Sequence, residues 1–236
     1  MIQLSNRLQT AVSLITKGNV VADVGCDHAY TSIYLCREQI APRVIAMDVN
    51  KGPLAGAKRH VEEAGLTEKI ELRLSDGLQA LAPGEAESIL LCGMGGLLMI
   101  KILTDYPQVT MAAKELILQP QSEVAQVRHF LHNSGYEITA EKMVKEDGKF
   151  YVMMRAVQSE VPQAYGKEFE YLYGKLLIEE NNGVLKEFLQ REHRLREDVL
   201  KELDGKDTEN VRVRVASLQQ EFRWILETEQ EMKEGV

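Results

Sequence analysis

Asp23, Gly25, Asp27, Asp48 and Asp76 are the residues whose types and spacing point first to chemistry in this 236-residue chain. Asp23 and Asp27 flank Gly25 in the stretch Val20-Val21-Ala22-Asp23-Val24-Gly25-Cys26-Asp27-His28-Ala29-Tyr30, whose apolar opening reads as a short buried strand. Gly25 permits a turn and a close backbone approach that a side chain would obstruct, and the Ala-Tyr-Thr-Ser-Ile-Tyr-Leu run behind it reads as a helix. A strand-to-helix junction of this kind can hold a ligand. The turn lacks the GxGxxG fingerprint, because Asp27 and Tyr30 stand where further glycines belong, so the tight pyrophosphate cradle is missing.

Two acids beside the turn suit a zwitterionic or net-cationic ligand with an amino group, which favours S-adenosylmethionine over NAD; a purely structural turn is the alternative. Asp48 ends a second apolar strand at residues 43–48, about twenty residues beyond the glycine turn, where one carboxylate can accept two hydrogen bonds from a ribose diol. Asp76 and Gly77 follow a third, alternating strand at residues 70–74; an acid there either accepts the exocyclic amine of an adenine or caps the next turn. A fourth strand at residues 88–92 feeds Gly93-Met94-Gly95-Gly96, where three glycines in four residues imply a close approach. Either a cofactor and an incoming flat base meet there, with Met94 lining the cleft, or the glycines only let a helix pack near the sheet. The fifth strand, residues 115–118, runs into Gln119-Pro120-Gln121, and the two glutamines offer uncharged donors and acceptors suited to a base edge.

The elements that must position these residues alternate strand and helix five times. Residues 1–17 carry Leu4, Leu8, Val12 and Ile15 at helical spacing, with Arg7 on another azimuth. Gly52-Pro53 introduces a helix running to Gly65, and Ser122 or its neighbour caps a helix bearing Val127, Phe130 and Leu131. Two strands, residues 136–144 and 150–157, flank the Glu146-Asp147-Gly148-Lys149 turn. This order predicts a doubly wound, mostly parallel α/β sheet of seven strands, with ligands outside the carboxyl ends of the strands. Residues 1–159 form that domain and 160–236 a second one, the change of pattern falling at Ser159-Glu160-Val161-Pro162. Apolar stripes over residues 164–203 and from Val211 to Ile225, separated by Asp204-Gly205-Lys206-Asp207, predict an antiparallel, coiled-coil-like helical hairpin. Val211-Arg212-Val213-Arg214-Val215 also has strand character.

Hydrophobic residues make up 44% of the chain, enough for one sizeable core and an appendage. Cys26, Cys36 and Cys92 form no CxxC pair, and His129 and His132 have no liganding cluster, so neither a disulfide framework nor a structural metal is expected. No signal-peptide pattern and no membrane-length apolar run are present, which points to the cytoplasm. Of the net charge of −8, residues 158–236 carry 12 basic and 18 acidic groups, a balance that argues against nonspecific nucleic-acid binding but permits a local basic face. Arg191, Arg194, Arg196, Arg212 and Arg214 either meet phosphates there or form ordinary solvated helix surface. Oligomeric state stays open.

Leu4-Ser5-Asn6-Arg7-Leu8, Ala22 through His28, Gly93-Met94-Gly95-Gly96, Gln119-Pro120-Gln121 and the terminal hairpin together resemble the bacterial TrmK family, the tRNA (adenine-22-N1) methyltransferases. The resemblance covers most of the chain. It implies a class I S-adenosylmethionine-dependent enzyme acting on tRNA, with the hairpin assisting tRNA engagement. The N/D-P-P-Y/F tetrapeptide of many amino-methyltransferases is replaced by Gly93-Met94-Gly95-Gly96, so an exocyclic-amine mechanism is not carried over. Asp23, Gly25, Asp27 and Asp48 form the expected cofactor core, with Asp76, Gly77, Gly93 and Met94 on the adenosine side. Arg7, Asp27 and His28 are the candidates for chemistry: Arg7 binds a phosphate or pairs with Asp27, His28 touches the target nucleotide, and Asp27 answers the charge that develops on the base. Alternatively Arg7 and His28 only brace the first helix. Gln119 and Gln121 join Arg7 and His28 as substrate contacts. A small-molecule or protein methyltransferase and a noncatalytic S-adenosylmethionine-binding regulator are the competing classes.

Overall fold

The computed structural model describes residues 3–161 and 164–234. The chain divides into two compact units, Met1–Ala164 and Tyr165–Val236. Pro162, at the expected change of pattern, lies outside the described residues.

The first unit is built on one seven-stranded sheet with the order β3-β2-β1-β4-β5-β7-β6. Strands β1 (Val21–Val24), β2 (Val44–Asp48), β3 (Ile70–Leu74), β4 (Ser88–Met94) and β5 (Glu115–Pro120) are parallel, and β7 (Lys149–Gln158) joins them antiparallel with β6 (Tyr136–Glu146) at its outer side. β1, β2 and β5 are buried along their whole length, as strands covered on both faces must be, and so they read as mainly apolar, with Asp23, Asp48, Glu115 and Gln119 the buried polar exceptions. Each fully buried Val, Ile or Leu in them contributes ~1.5–3 kcal/mol relative to exposure.

Helices α2 (Tyr30–Arg37), α3 (Lys51–Glu63), α4 (Gly96–Asp105), α5 (Pro107–Ala112) and α6 (Val124–Asn133) connect the strands. The first helix, α1 (Asn6–Val12), is shorter than its apolar spacing suggests. Ser5 caps its start, and the i→i−3 bonds from Leu14 to Ala11 and from Ile15 to Val12 tighten and end it, while Ile15 still reaches the core. Residues 1 and 2 of the expected helix lie outside the described residues.

Two local expectations are corrected and one is narrowed. β4 and β5 run on past residues 92 and 118, because Met94 pairs with Pro120 across a bulge that skips Gly93. Of Ser122 and its neighbour, it is the neighbour Glu123 that takes the cap position of α6, in left-handed backbone at φ 48° and without a side-chain cap bond, and the Ser122 hydroxyl turns to the Glu123 carboxylate. Gly52-Pro53 lies inside the first turn of α3 rather than before it.

The second unit contains α7 (Glu168–Tyr173), α8 (Lys175–Glu179), α9 (Gly183–Leu203) and α10 (Glu209–Glu234). Val211 to Val215 belong to α10, so their alternation is not a strand. Asn182 caps α9 through its side-chain oxygen, which accepts from the backbone N–H groups of Val184 and Leu185. α9 and α10 pair antiparallel, since His193 meets Phe222 edge-on while Arg196, further along α9, bonds Glu221, one position back on α10. Arg196 also bonds Glu192, Arg212 bonds Asp207, and Arg214 bonds Glu221.

Candidate active site

The carboxyl ends of β1, β4 and β5, with α1 above them, enclose a cleft of about 280 Å³ lined by Arg7, Leu8, Asp23, Gly25, Cys26, Asp27, His28, Tyr30, Thr31, Cys92, Gly93 and Gln121. Here the strand order reverses between β1 and β4, the place where parallel sheets open a crevice for ligands.

Asp23 forms the floor. It is 5% exposed, and its Oδ2 accepts a hydrogen bond from the Ser32 hydroxyl on α2, 2.6 Å away. Burial pushes its carboxyl up to about 6; the Ser32 bond pulls it down, and the neighbouring Asp48 carboxylate pushes it up again. A buried acid with so little compensation favours a cationic partner. Asp48, at the end of β2, accepts from the Asp27 backbone N–H at 3.1 Å and from the Asn50 backbone N–H at 2.8 Å, so it holds the turn from behind while standing at the strand end.

The turn itself is bent where side chains resist. Asp27 and Ala29 have φ of 49° and 58°, a left-handed backbone that costs about 1–3 kcal/mol for residues other than glycine and concentrates at functional sites. This geometry leaves the Asp27 side chain 70% exposed over the cleft, with Oδ1 3.6 Å from His28 Nε2. Gly25 is at φ +72°, and a Cβ there would fall 2.3 Å from the Met94 methyl carbon, so Met94 lies directly over it. Gly93 is at φ +77° in the β4 bulge, and a Cβ would point toward Arg7 Nη1 and Gln121 Nε2, both 3.7 Å away. Gly93 therefore leaves its wall of the cleft bare, while Gly25 makes room for the Met94 methyl.

Gln119 is placed otherwise than a base-reading residue. It is fully buried behind the wall, and its Oε1 accepts from Arg7 Nη1 at 2.5 Å and from the Gly93 N–H at 3.1 Å, the donor freed by the bulge. Its Nε2 donates to the Pro120 carbonyl at 3.3 Å, so neither end of the amide is offered to the cleft. Arg7 is thus held by Gln119 and by the Tyr151 ring on β7, 5.3 Å from its guanidinium carbon, rather than by Asp27. Gln121, by contrast, does line the cleft.

The structure accordingly brings Arg7, Asp23, Gly25, Asp27, His28, Gly93 and Gln121 into one cleft, with Met94 and Asp48 against the same turn. It leaves Asp76 and Gly77 out of the lining: Asp76 is exposed, and Gly77 faces Ile102 of α4, where a Cβ would be 3.1 Å from two of its carbons. The residues not foreseen are Leu8, Cys26, Tyr30, Thr31, Cys92 and, behind Arg7, Tyr151. Burial and the Asp23 carboxylate hold the Cys92 thiol well above its ordinary range, so it sits there as a neutral thiol. Among the described residues no group of acids, cysteines and histidines is arranged to hold a metal. A hollow of about 450 Å³ in the helical unit is lined by Lys167, Trp224 and several glutamates, without a glycine turn or a buried carboxylate.

The family described as "Methyltransferase domain" matches residues 4–154. A tRNA (adenine(22)-N(1))-methyltransferase of Bacillus subtilis is 37% identical over 193 residues, covering 80% of this chain and 81% of that protein. The crystal structure of the B. subtilis M1A22 tRNA methyltransferase TrmK superposes with a TM-score of 0.86 at 31% identity, over 97% of this chain and 99% of that one. Streptococcus pneumoniae Sp1610, described as a putative tRNA (m1A22) methyltransferase and crystallised with S-adenosyl-L-methionine, gives a TM-score of 0.79 at 29% identity over 99% of both chains.

Proposed function

The chain belongs to the TrmK family of tRNA (adenine-22-N1) methyltransferases, and from that premise we propose that its cleft carries methyl transfer from S-adenosylmethionine to N1 of adenine-22 in tRNA. The observation that carries the cofactor assignment is the buried Asp23 carboxylate in a cleft whose Gly93 wall carries no side chain. Those residues fit the group: Asp23 would meet its ammonium and Asp48 its ribose diol, with Gly93 leaving room at the end of β4.

When bound, S-adenosylmethionine supplies an electrophilic methyl group that adenine N1 takes up through its own lone pair, so no covalent enzyme intermediate is required. The chain's part is placement and charge. Asp27, bent over the cleft by its left-handed backbone, is positioned to answer the positive charge that methylation leaves on the base. Arg7, fixed by Gln119 and Tyr151, presents a cation at the same mouth for an RNA phosphate. In a duplex N1 is covered by its pairing partner, so the target adenine must leave its stack to reach this cleft. We assign cofactor binding and chemistry to the sheet unit. In the helical unit Arg196, Arg212 and Arg214 are engaged by carboxylates of that unit, so phosphate contacts through them would compete with those pairs. No described helix is long and apolar enough to cross a membrane, and we place the enzyme with its tRNA in the cytoplasm.

Labelled methyl from S-adenosylmethionine should appear on N1 in unmodified tRNA carrying adenine-22 and not when another base replaces it. Cofactor binding without transfer to any of a broad set of tRNAs would reject this reading in favour of a regulator.

The cofactor's affinity should also depend on pH. Because the free Asp23 carboxyl titrates at about 6 and the ammonium binds its ionised form, affinity should be full at pH 7 and about tenfold weaker at pH 5. In the free protein the sign is opposite: the stability tied to protonated Asp23 is present below 3.8 and lost as pH rises through about 6. Titration calorimetry across this window on the wild type and on Asp23→Asn is the check. A pH profile shared by both would place the titrating group elsewhere.

A further inference from the structure

The mouth of the cleft holds an aromatic cluster that the chemistry above does not use. Tyr30, the first residue of α2, lines the cleft and is 42% exposed. Its ring lies 4.8 Å from that of His60 on α3, at an interplanar angle of 24°. His60 is braced at both nitrogens: Nε2 is 3.4 Å from the Tyr30 hydroxyl and Nδ1 is 3.2 Å from the His28 carbonyl. The His28 ring closes the cluster at 6.0 Å from Tyr30 and 5.7 Å from His60, and is itself seated on Gly56, where a Cβ would fall 2.6 Å from Nδ1.

We propose that Tyr30, stacked on His60, is a platform for an unpaired nucleobase of the RNA flanking the adenine to be methylated. Three observations select this ligand. A tyrosine placed for the core would bury its ring, whereas this one is packed by His60 and stays open to solvent at the mouth. The same cleft carries the Asp27 carboxylate, 70% exposed and 3.6 Å from His28 Nε2, which repels a phosphate but tolerates the uncharged face of a base. Depth separates the platform from the reaction: Asp23, on the floor, is 5% exposed, so a base reaching the cofactor goes deeper than one resting on Tyr30. Base-on-aromatic stacking accepts any base, and a nucleotide whose neighbour has left the helix has lost a stacking partner that the tyrosine replaces.

The inference rests on tRNA being the substrate, and the experiment separates the two. Steady-state methylation of tRNA is measured for wild type, Tyr30→Phe, Tyr30→Leu and His60→Ala, alongside S-adenosylmethionine binding and thermal melting. A second tRNA carries 2-aminopurine in place of the nucleotide next to adenine-22. Tyr30→Leu, which keeps apolar bulk and helix propensity, should lower kcat/KM for tRNA about tenfold through KM. The loss for tRNA should exceed any loss of cofactor affinity, and Tyr30→Phe, which keeps the ring and gives up only the hydroxyl beside His60 Nε2, should retain the quenching. The quenching of 2-aminopurine on binding should be lost in Tyr30→Leu and reduced in His60→Ala. Unchanged KM and quenching in Tyr30→Leu would overturn the platform while leaving the methyltransferase reading intact, as would a loss confined to cofactor binding. A wild type that methylates no tRNA would overturn both.

Discussion

Replacing Asp48 by alanine is expected to weaken S-adenosylmethionine binding by at least ~100-fold, because two hydrogen bonds to a carboxylate are lost at ~1.5–3 kcal/mol each. The effect has two sources. Asp48 ends β2 where the ribose diol is assigned, and in the free protein its oxygens accept from the backbone N–H groups of Asp27 and Asn50. Alanine therefore removes the ligand contact and also releases the turn that carries Asp27. Asn at this position keeps one acceptor oxygen, and its loss should be nearer tenfold. The measurement is calorimetric titration with the cofactor, supported by the thermal shift that the ligand gives to wild type and should no longer give to Asp48→Ala. Binding by Asp48→Ala within about threefold of wild type would remove Asp48 from the cofactor site.

The second large effect concerns stability. Gly96→Ala should cost about 3 kcal/mol and lower Tm by roughly 6–12 °C for a chain of this size. A Cβ on Gly96 would lie 2.5 Å from the Ser122 carbonyl oxygen, 3.1 Å from that of Glu123 and 2.9 Å from a Val127 methyl. Two of these are backbone atoms that no rotamer change can move aside. The Gly96 N–H also donates to the Ser122 carbonyl at 3.1 Å, so the residue cannot simply retreat. Alanine's better helix propensity, ~1 kcal/mol, is too small to compensate. Gly52→Ala is the control: it is also helical, nothing stands within 4 Å of its Cβ, and it should melt at or above the wild-type temperature. Equal melting of Gly96→Ala and wild type would show that α4 and α6 can separate freely.

Much of this arrangement was legible in the chain. β1, β2 and β5 announce themselves because strands covered on both faces are mainly apolar, and the acids at residues 23 and 48 stand out against them. The same burial hid the role of Gln119. Every position of β5 is buried, so alternation gives no clue to which way an amide points, and its partner Arg7 lies 112 residues away in sequence. Arg7 itself was visible only as a cation on a helix, and its choice of Gln119 and Tyr151 over Asp27 is decided by how α1 packs on β5 and β7. Tyr30 and His60 belong to two helices and are 30 residues apart, so no local periodicity joins them. The left-handed backbone at Asp27 and Ala29 has no sequence marker, since neither is glycine. Helix ends were the least readable, because α1 stops through i→i−3 bonds while its apolar spacing continues to Ile15.

The cleft also sets a schedule for the chain's own synthesis. β1 is flanked by β2, made soon after it, and by β4, which begins 64 positions beyond the end of β1. A nascent chain that has emerged only through β3 carries Asp23 and Asp48 but no Gly93 wall, and Arg7 has no Gln119 to hold it. Parallel pairings of this span form late because the intervening loop must be closed before any contact rewards it. A ligand that needs both walls thus cannot steady the early part of the chain, and its help to folding begins only once Gln121 has left the ribosome.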